Sequence, residues 1–170
     1  YSVDAQFISN YDGKPFKIQN EGKHILSYWS VDKAGNQEKT KNIEINIDKT
    51  TPTTKYEIYG ELKEDIYLNS VTVELKANDE TSGINVIMYR VSQQVETRIY
   101  SLEYQIYNKP FVIKETGQNK VEFYSIDNAG NHEKTKYFTI LITESDSQDT
   151  TAPETTHIIT GEKGDNNWYI

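Results

Sequence analysis

The sequence predicts an all-β protein, and three observations support this prediction. Tyr, Thr, Ile and Val dominate the uncharged positions, and these residue types favour strands over helices. Apolar and polar residues alternate in several segments, while no stretch shows helical periodicity. A polar, glycine-containing segment also occurs twice, which indicates repeated modules rather than one continuous core.

The repeat organises the whole chain. The segment "WSVDKAGNQEKTK" (29–41) matches "YSIDNAGNHEKTK" (124–136) at a spacing of 95 residues. The alignment continues upstream without a gap, because 11–32 falls on 106–127. These long, gapless matches predict that both copies fold in the same way.

A second landmark sets the module boundaries. The Pro-Thr-rich segment 50–60 recurs as 151–161. We therefore predict three parts, which are the C-terminal half of one module (1–48), a complete module (52–143) and the N-terminal start of a further module (153–170). The chain also begins without Met, so we expect it to be an excerpt of a longer protein. A period of 95 to 100 residues matches one Ig-like or fibronectin-III-like β-sandwich, and we predict tandem modules of that class.

Alternation predicts seven strands in the complete module. They are 54–60, 70–77, 84–92, 98–104, 110–114, 119–127 and 136–143. The last strand places Phe138, Ile140 and Ile142 on one face, and the first copy repeats this pattern over 43–47. We expect these apolar faces to form the core.

The duplicated polar residues are those that a turn requires. Asp and Asn side chains bond neighbouring backbone N–H groups, and Gly accepts a positive φ. The residues are Asp32, Gly35 and Asn36 in the first copy and Asp127, Gly130 and Asn131 in the second. We predict a tight hairpin loop between the last two strands of each module. Glu38 and Glu133 would then start the final strands through cross-strand charge pairing.

The alternative for these carboxylates is a Ca²⁺ site. Asp127 could combine with Asp79 or with the linker residue Asp48, and Asp32 is its counterpart in the first copy. Ca²⁺ takes six to eight oxygen ligands, whereas the loop alone offers roughly two or three. Turn chemistry already accounts for each residue, so we predict no cofactor and keep Ca²⁺ as the alternative.

Charge and composition exclude several partners. The formal net charge is −8 and the sequence pI about 4.9, which argues against nucleic acid and against anionic membrane surfaces. The longest apolar run (137–142) is too short to span a bilayer. The chain has no Cys, so disulfides, thiolate metal sites and a Cys nucleophile are excluded.

The repeat also argues against catalysis. No histidine recurs at an equivalent position. His24 faces Asn119, His132 faces Gln37 and His157 faces Tyr56. A His-dependent site would therefore exist in one copy only, and no Gly-rich phosphate loop follows a strand. We predict that the protein is not an enzyme.

The copies differ most in one hairpin. The interval from Tyr89 to Pro110 is 21 positions. The corresponding interval from Tyr1 to Pro15 is 14 positions. The longer segment (93–107) carries Arg98, Tyr100, Tyr104 and Tyr107. Tyr and Arg are favoured at interfaces, so this hairpin is a candidate for binding a glycan or a partner protein. The alternative is an ordinary half-exposed strand pair.

Taken together, the motifs resemble a family of bacterial and archaeal cell-surface Ig-like repeats named after a leptospiral outer-membrane protein. The matching motifs are "YSVD" (1–4), Pro15-Phe16, Gly22 to His24, Asp79 with Ser82 and Gly83, Tyr124 to Glu133, Pro153 to Thr156, and "GDNNWY" (164–169). The second copy departs at "YRVS" (89–92), in its long hairpin, and at "DIYL" (65–68), where the Trp is missing.

The resemblance implies an extracellular or cell-surface location and multi-module arrays, sometimes attached to enzymes. We therefore predict a non-enzymatic structural repeat that acts as a spacer, a stalk or a filament building block. Its partners would be neighbouring modules and copies of itself. The alternatives are an adhesive module that uses the Tyr-rich hairpin, and an accessory module of a secreted hydrolase. We also expect a neighbouring chain to complete the two incomplete modules.

Overall fold

The computed structural model describes residues 1–95, 98–145, 153–156 and 160. Within these ranges the protein is all-β, without a helix, as predicted. The first sheet contains β1 (Ser2–Val3), β2 (Gly22–Tyr28) and β3 (Lys41–Ile47). The second contains β4 (Thr53–Lys63), β5 (Ile66–Asn78), β6 (Ile84–Val95), β7 (Arg98–Ser101), β8 (Gln105–Ile106), β9 (Phe111–Ile113), β10 (Gly117–Asp127) and β11 (Lys136–Thr143).

The eight strands from β4 onwards form two layers. One layer contains β4, β5 and β9, and the other contains β11, β10, β6, β7 and β8. Strands β4 and β5 form a hairpin whose two turn residues, Glu64 and Asp65, both have positive φ, as the twist of a tight hairpin requires. The layers are joined by a short parallel pairing between β5 and β11, at Tyr67 with Ile142 and at Leu68 with Thr143.

The core lies between these layers, because both contribute alternate residues to one buried cluster. The cluster contains Val71, Val73, Leu75, Ile113, Val121, Phe123, Phe138, Ile140 and Ile142. Strand β5 shares this cluster with β10 although the two strands are not paired, so their faces pack against each other as in a β-sandwich. The prediction that Phe138, Ile140 and Ile142 are buried is confirmed.

The two copies of the repeat have the same strand register. Gly22 pairs with Ile47 between β2 and β3, and Gly117 pairs with Ile142 between β10 and β11. All the intervening pairs correspond in the same way, each shifted by the 95 residues of the repeat. The sequence match is therefore also a match in strand pairing.

The correspondence includes one further strand. Val3 of β1 pairs with Leu26 of β2, and Val91 of β6 pairs with Val121 of β10. Leu26 and Val121 are equivalent in the repeat. Thus β1, β2 and β3 reproduce part of the arrangement of β6, β10 and β11.

Several strand boundaries differ from the prediction. Strand β6 is longer, reaching Val95, and the strand predicted over 98–104 is shorter, because β7 ends at Ser101. Strand β8 lies beyond the predicted range and was not predicted. Among the described residues, no helix is long and apolar enough to cross a membrane. Apart from 153–156 and 160, the predicted further module (153–170) lies outside the described residues.

Candidate functional site

The repeated turn is built around one aspartate in each copy. Asp127 Oδ1 accepts a hydrogen bond of 2.8 Å from the Asn131 backbone N–H, and Oδ2 accepts one of 2.8 Å from the Asn131 amide. Asp32 accepts the same two bonds from Asn36, also at 2.8 Å. The side chain of each aspartate thus closes a loop of the backbone.

The glycine of each turn has a left-handed backbone conformation. Gly35 and Gly130 both have φ of +91°, and a Cβ added to either would meet no atom within 4 Å. Available space is therefore not the constraint. The conformation itself favours glycine.

The glutamates that follow the turns do not start the final strands, contrary to prediction. Strand β11 begins at Lys136, and the Glu133 carboxylate instead accepts a bond from Ser125 Oγ at 3.2 Å. In the first copy, Glu38 accepts the equivalent bond from Ser30 Oγ at 2.9 Å. Each glutamate therefore reaches back across its turn, where its carboxylate accepts a bond from the serine eight residues earlier.

Glu133 connects the two layers of the second sheet. Its carboxylate accepts bonds from the Thr54 backbone N–H at 2.9 Å and from Thr54 Oγ1 at 2.7 Å. Lys136 forms an ion pair with the same carboxylate. Glu133 is only 4% exposed and Thr54 2%, so these bonds are shielded from water. The turn of β10 and β11 is thereby attached to the start of β4.

These contacts keep Glu133 ionised. Burial alone raises its pKa, but the bonds from Lys136 and Thr54 outweigh burial and hold the pKa below the ordinary value of 4.5. Burial likewise raises the pKa of Asp127, and the bonds from Asn131 more than offset it. The Asn36 side chain lowers the pKa of Asp32, which is exposed. Both turn aspartates are therefore negatively charged acceptors.

The link between the two sheets is hydrogen-bonded to the first one. Glu21 precedes β2, and its carboxylate accepts bonds from the Lys49 backbone N–H at 2.6 Å and from Thr50 Oγ1 at 2.9 Å. Lys49 Nζ donates to the Gln19 carbonyl. The link residues 48–51 are thus fixed against the end of the first sheet.

The same link is bonded to the second sheet. Asp48 Oδ2 accepts a bond from the Ser82 backbone N–H at 3.1 Å, and the Asp48 carbonyl accepts one from the Asn131 amide at 3.3 Å. Asn131 belongs to the repeated turn. One aspartate of the link therefore contacts both the β5–β6 loop and the turn between β10 and β11.

Three of the four candidate Ca²⁺ ligands meet at this junction. One carboxylate oxygen from each of Asp48, Asp79 and Asp127 lies within 4.8 Å of the others. Asp32 lies in the first-copy turn and is not part of the group. Asp79 Oδ1 accepts three backbone N–H bonds, from Thr81, Ser82 and Gly83, which offset part of the charge. Hydrogen bonding accounts for the arrangement, and Ca²⁺ binding stays the untested alternative to a turn without a cofactor.

Two tyrosines of the Tyr-rich hairpin, Tyr104 and Tyr107, have different surroundings. The Arg90 guanidinium lies 4.7 Å from the centre of the Tyr104 ring, and Tyr104 packs edge-on against Tyr124. Tyr107 instead packs against Tyr89 and the buried cluster. The two tyrosines thus contact different sets of residues, since Tyr107 supports the core while Tyr104 lies over a charged strand pair.

The other two hairpin candidates are placed only by their backbone. Arg98 and Tyr100 lie on β7, where they pair with Val95 and Gln93 of β6. Their side chains are outside the described part of the structure. The binding role predicted for Arg98, Tyr100, Tyr104 and Tyr107 therefore stays a prediction.

Two important residues escaped the sequence prediction. The predicted strand 54–60 gives Thr54 no polar role, and no sequence pattern singles out Glu21. A signal existed for the Glu133 cluster, because a serine precedes a glutamate by eight residues in both copies, as Ser30 with Glu38 and Ser125 with Glu133. No comparable signal identifies Glu21, whose partners in the link are 28 and 29 residues away.

Known proteins supply no family for this chain. No protein-family model matches it, and no curated protein matches it. The family resemblance is therefore a prediction, and the functional inference rests on the residues and geometry described above.

Proposed function

We propose that the protein is a non-enzymatic structural part of a secreted or cell-surface protein. In this proposal its tandem Ig-like or fibronectin-III-like modules (1–48, 52–143 and 153–170) act as a spacer, a stalk or a filament building block. The identical strand register of the two copies supports the repeat, since Gly22 with Ile47 corresponds to Gly117 with Ile142.

The junction is the observation that carries the proposal. A spacer needs consecutive modules in a fixed relation, and a short bonded link provides one. Residues 48–51 bond Glu21 on one side and the second-sheet residues Ser82 and Asn131 on the other. Asn131 closes the second-copy turn through Asp127 and also bonds the Asp48 carbonyl, so this turn takes part in fixing the preceding link.

The partner in the array is a further module. Ile43 is 46% exposed, and Glu38 is bonded to Ser30 and Lys41 without a counterpart of Thr54 in the described residues. A strand equivalent to β4, supplied by a neighbouring module or a second copy of the chain, would cover this face and donate to Glu38.

Residual dipolar couplings of backbone N–H groups test the fixed junction. If the link is rigid, couplings from β2 and β3 and couplings from β10 and β11 fit one alignment tensor in the parent chain. Replacing Glu21 with Ala removes the acceptor for Lys49 and Thr50. We expect the tensor of the first sheet to shrink relative to that of the second in this variant.

Glu44→Ala is the matched control, because Glu44 is an exposed glutamate on β3 whose ion pair with Lys23 is 4.0 Å long and solvent-exposed. It should leave the common tensor unchanged. Separate tensors in the parent chain would refute the rigid spacer.

Surface biotinylation of the source cells, with detection by an antibody raised against the chain, tests the proposed cell-surface location. Labelling of the protein only after cell lysis would contradict that location.

An adhesive role is the second candidate, favoured by the inserted hairpin. The hairpin residues Ser101, Leu102 and Gln105 line a cleft in the second copy. A glycan array probed with the full chain tests adhesion directly. Binding that is lost in Leu102→Ala and retained in Leu141→Ala would support it, since Leu102 lines the cleft and Leu141 is an exposed leucine on β11. Absence of binding by the parent chain would exclude glycan adhesion.

A further inference from the structure

His24 lies between two groups that can only accept hydrogen bonds. It belongs to β2 and is 7% exposed, and its Nδ1 lies 2.8 Å from the Asp4 carboxylate. Its Nε2 lies 2.8 Å from the Asn20 carbonyl oxygen. A carboxylate and a carbonyl have no proton to donate, and a neutral imidazole carries only one N–H group. Both bonds therefore form together only when His24 is protonated.

The pKa values of the pair agree with this geometry. The bonds to the Asp4 carboxylate and to the Asn20 carbonyl raise the pKa of His24 above its ordinary value of 6.5. The bond from His24 lowers the pKa of Asp4 below its ordinary value of 3.8, so Asp4 is a carboxylate at neutral pH. The Asp4 side chain is 35% exposed, so water reaches the pair and can exchange protons with it.

Asp4 is the charged group to which the protonation of His24 is coupled. The other charged side chains on β2, on β3 and in the segments next to them that adjoin His24 are Asp12, Lys14, Lys17, Glu21, Lys23, Lys41, Glu44 and Lys49. Within residues 1–49, all of which the structure describes, Asp4 alone among these charges bonds the imidazole or shifts its pKa. The partner of His24 across β3 is the apolar Ile45.

Asp4 also holds the turn that follows β1. Its backbone N–H donates to the Ile25 carbonyl at 2.9 Å, and its Oδ1 accepts the Ile25 backbone N–H at 2.8 Å. Asp4 and Ala5 have φ of +52° and +54°, a left-handed conformation that is unfavourable for residues with a Cβ. The Gln6 N–H closes the turn by donating to the Val3 carbonyl at 3.0 Å. The contacts of Asp4 with β2 therefore maintain an otherwise unfavourable turn.

The second copy replaces this pair with two residues that do not titrate near neutral pH. Asn119 occupies the position of His24 in the repeat, and its amide donates to a backbone carbonyl four residues earlier, as His24 does. Ser92 occupies the position of Asp4, because the preceding valine of each copy pairs with equivalent residues of β2 and β10. A pH-dependent contact at this position is therefore a property of the first copy.

We propose that Asp4 and His24 form a pH-dependent switch, which holds β1 and the turn after it on β2 while the imidazole is protonated and releases them when it is neutral. Deprotonation removes one of the two bonds, because one ring nitrogen then turns a lone pair towards an acceptor. The switch does not rest on the proposed spacer function.

The direction of the pH effect follows from the two pKa values. The pKa of His24 is raised in the folded protein and that of Asp4 is lowered, so the stabilisation is complete between about pH 3.8 and pH 6.5. It is lost as the pH rises through the folded pKa of His24. Glu133 has the opposite dependence in the second sheet, because its folded pKa lies below the ordinary value and its contribution is lost in acid.

NMR spectra of the full chain recorded from about pH 5 to about pH 9 test the switch. The imidazole ¹⁵N shifts of His24 report its protonation, and NOEs between Val3 and Leu26 report the pairing of β1 with β2. We expect a His24 midpoint above 6.5 and NOEs that weaken through the same midpoint. NOEs between Val91 and Val121, the equivalent pair of the second copy, should stay constant.

Two substitutions separate the charge of Asp4 from the presence of a side chain. Asp4→Asn removes the negative charge and should lower the His24 midpoint. Asp12→Asn is the matched control, since Asp12 is an exposed aspartate of the same copy whose carboxylate contacts Lys14, and it should leave the midpoint unchanged. His24→Asn introduces the residue of the second copy and should make the β1–β2 NOEs independent of pH.

A His24 midpoint at or below 6.5 in the parent chain would overturn the proposal, as would NOEs between β1 and β2 that persist unchanged through the midpoint. An unchanged midpoint in Asp4→Asn would also overturn it. The titration of the parent chain decides the question even if a variant fails to fold.

Discussion

The two copies of the repeat share their strand register but differ in what covers them. Strand β10 buries every second residue from Asn119 to Asp127, whereas the equivalent residues of β2 and its turn are progressively more exposed. In the second copy, β4 and β5 lie across that face and Thr54 bonds Glu133. In the first copy, the contacts of Glu38 with other described residues are confined to its own turn and strand pair.

This difference separates local from tertiary causes. The Asp–Asn turn forms with the same bonds in an exposed and in a buried setting, so short-range hydrogen bonding and the glycine conformation suffice to specify it. Burial of Glu133, by contrast, requires a second layer. Equal local geometry therefore coexists with unequal burial.

Removing the buried glutamate should have the largest effect. Glu133→Ala leaves the two buried Thr54 donors without their acceptor and removes the ion pair to Lys136, whose Nζ still donates to the Thr54 carbonyl. We expect a loss of about 3 kcal/mol in the free energy of unfolding of the second sheet, because two buried donors lose a charged acceptor. Urea denaturation followed through the β10 amide signals in NMR spectra measures it.

Glu38→Ala is the matched substitution in the first copy. Glu38 accepts bonds from Ser30 and Lys41 in an exposed setting, where such contacts contribute little. The stability of the second sheet should be unchanged in this variant. If the two alanine variants lose equal stability, each measured on its own sheet, burial by the second layer is not the source of the difference.

Acid should weaken the second sheet through the same carboxylate. The pKa of Glu133 is lower in the folded protein than its ordinary value of 4.5, so the folded state binds the proton less readily than the unfolded chain. Its stabilising contribution is complete above about pH 4.5 and is lost as the pH falls through the lower folded pKa. Unfolding free energies measured from pH 7 to pH 3 should fall less steeply in Glu133→Gln than in the parent chain. A parallel pH profile for the two would contradict this assignment.

The turn glycines should show a smaller effect that is the same in both copies. Gly35→Ala and Gly130→Ala each force a Cβ into a left-handed conformation with φ of +91°, while no neighbouring atom obstructs it. We expect each to cost about 1 to 2 kcal/mol in its own sheet. Thermal unfolding followed by NMR compares them. A cost confined to Gly130→Ala would mean that tertiary contacts, rather than the turn itself, specify the conformation.

The sequence was sufficient for those features that depend on periodicity and local chemistry. Alternation identified the buried face of β11, and the repeat identified equivalent positions such as Asp32 and Asp127. Each of these signals involves residues that are close together in the sequence or that recur at a fixed spacing. Both can therefore be recognised without knowledge of the tertiary fold.

The remaining features depend on contacts between distant residues. Thr54 and Glu133 are 79 positions apart, and Asp48 and Asn131 are 83 apart, so neither contact has a local pattern. The cleft beside Asn119 can be recognised only from the difference between the two copies together with the path of the inserted hairpin. The Tyr-rich hairpin illustrates this limit. Composition grouped Arg98, Tyr100, Tyr104 and Tyr107 as one candidate site, but Tyr104 and Tyr107 contact different parts of the sheet.

Native-state hydrogen exchange separates the local contribution of the turn and strand pair from the contribution of the second layer, because it reports local stability at each paired amide. Each paired amide of β2 and β3 has a counterpart in β10 and β11. We expect the β10 and β11 amides to exchange much more slowly than their equivalents in the first copy, despite the identical register. Equal protection of equivalent amides in the two copies would contradict it.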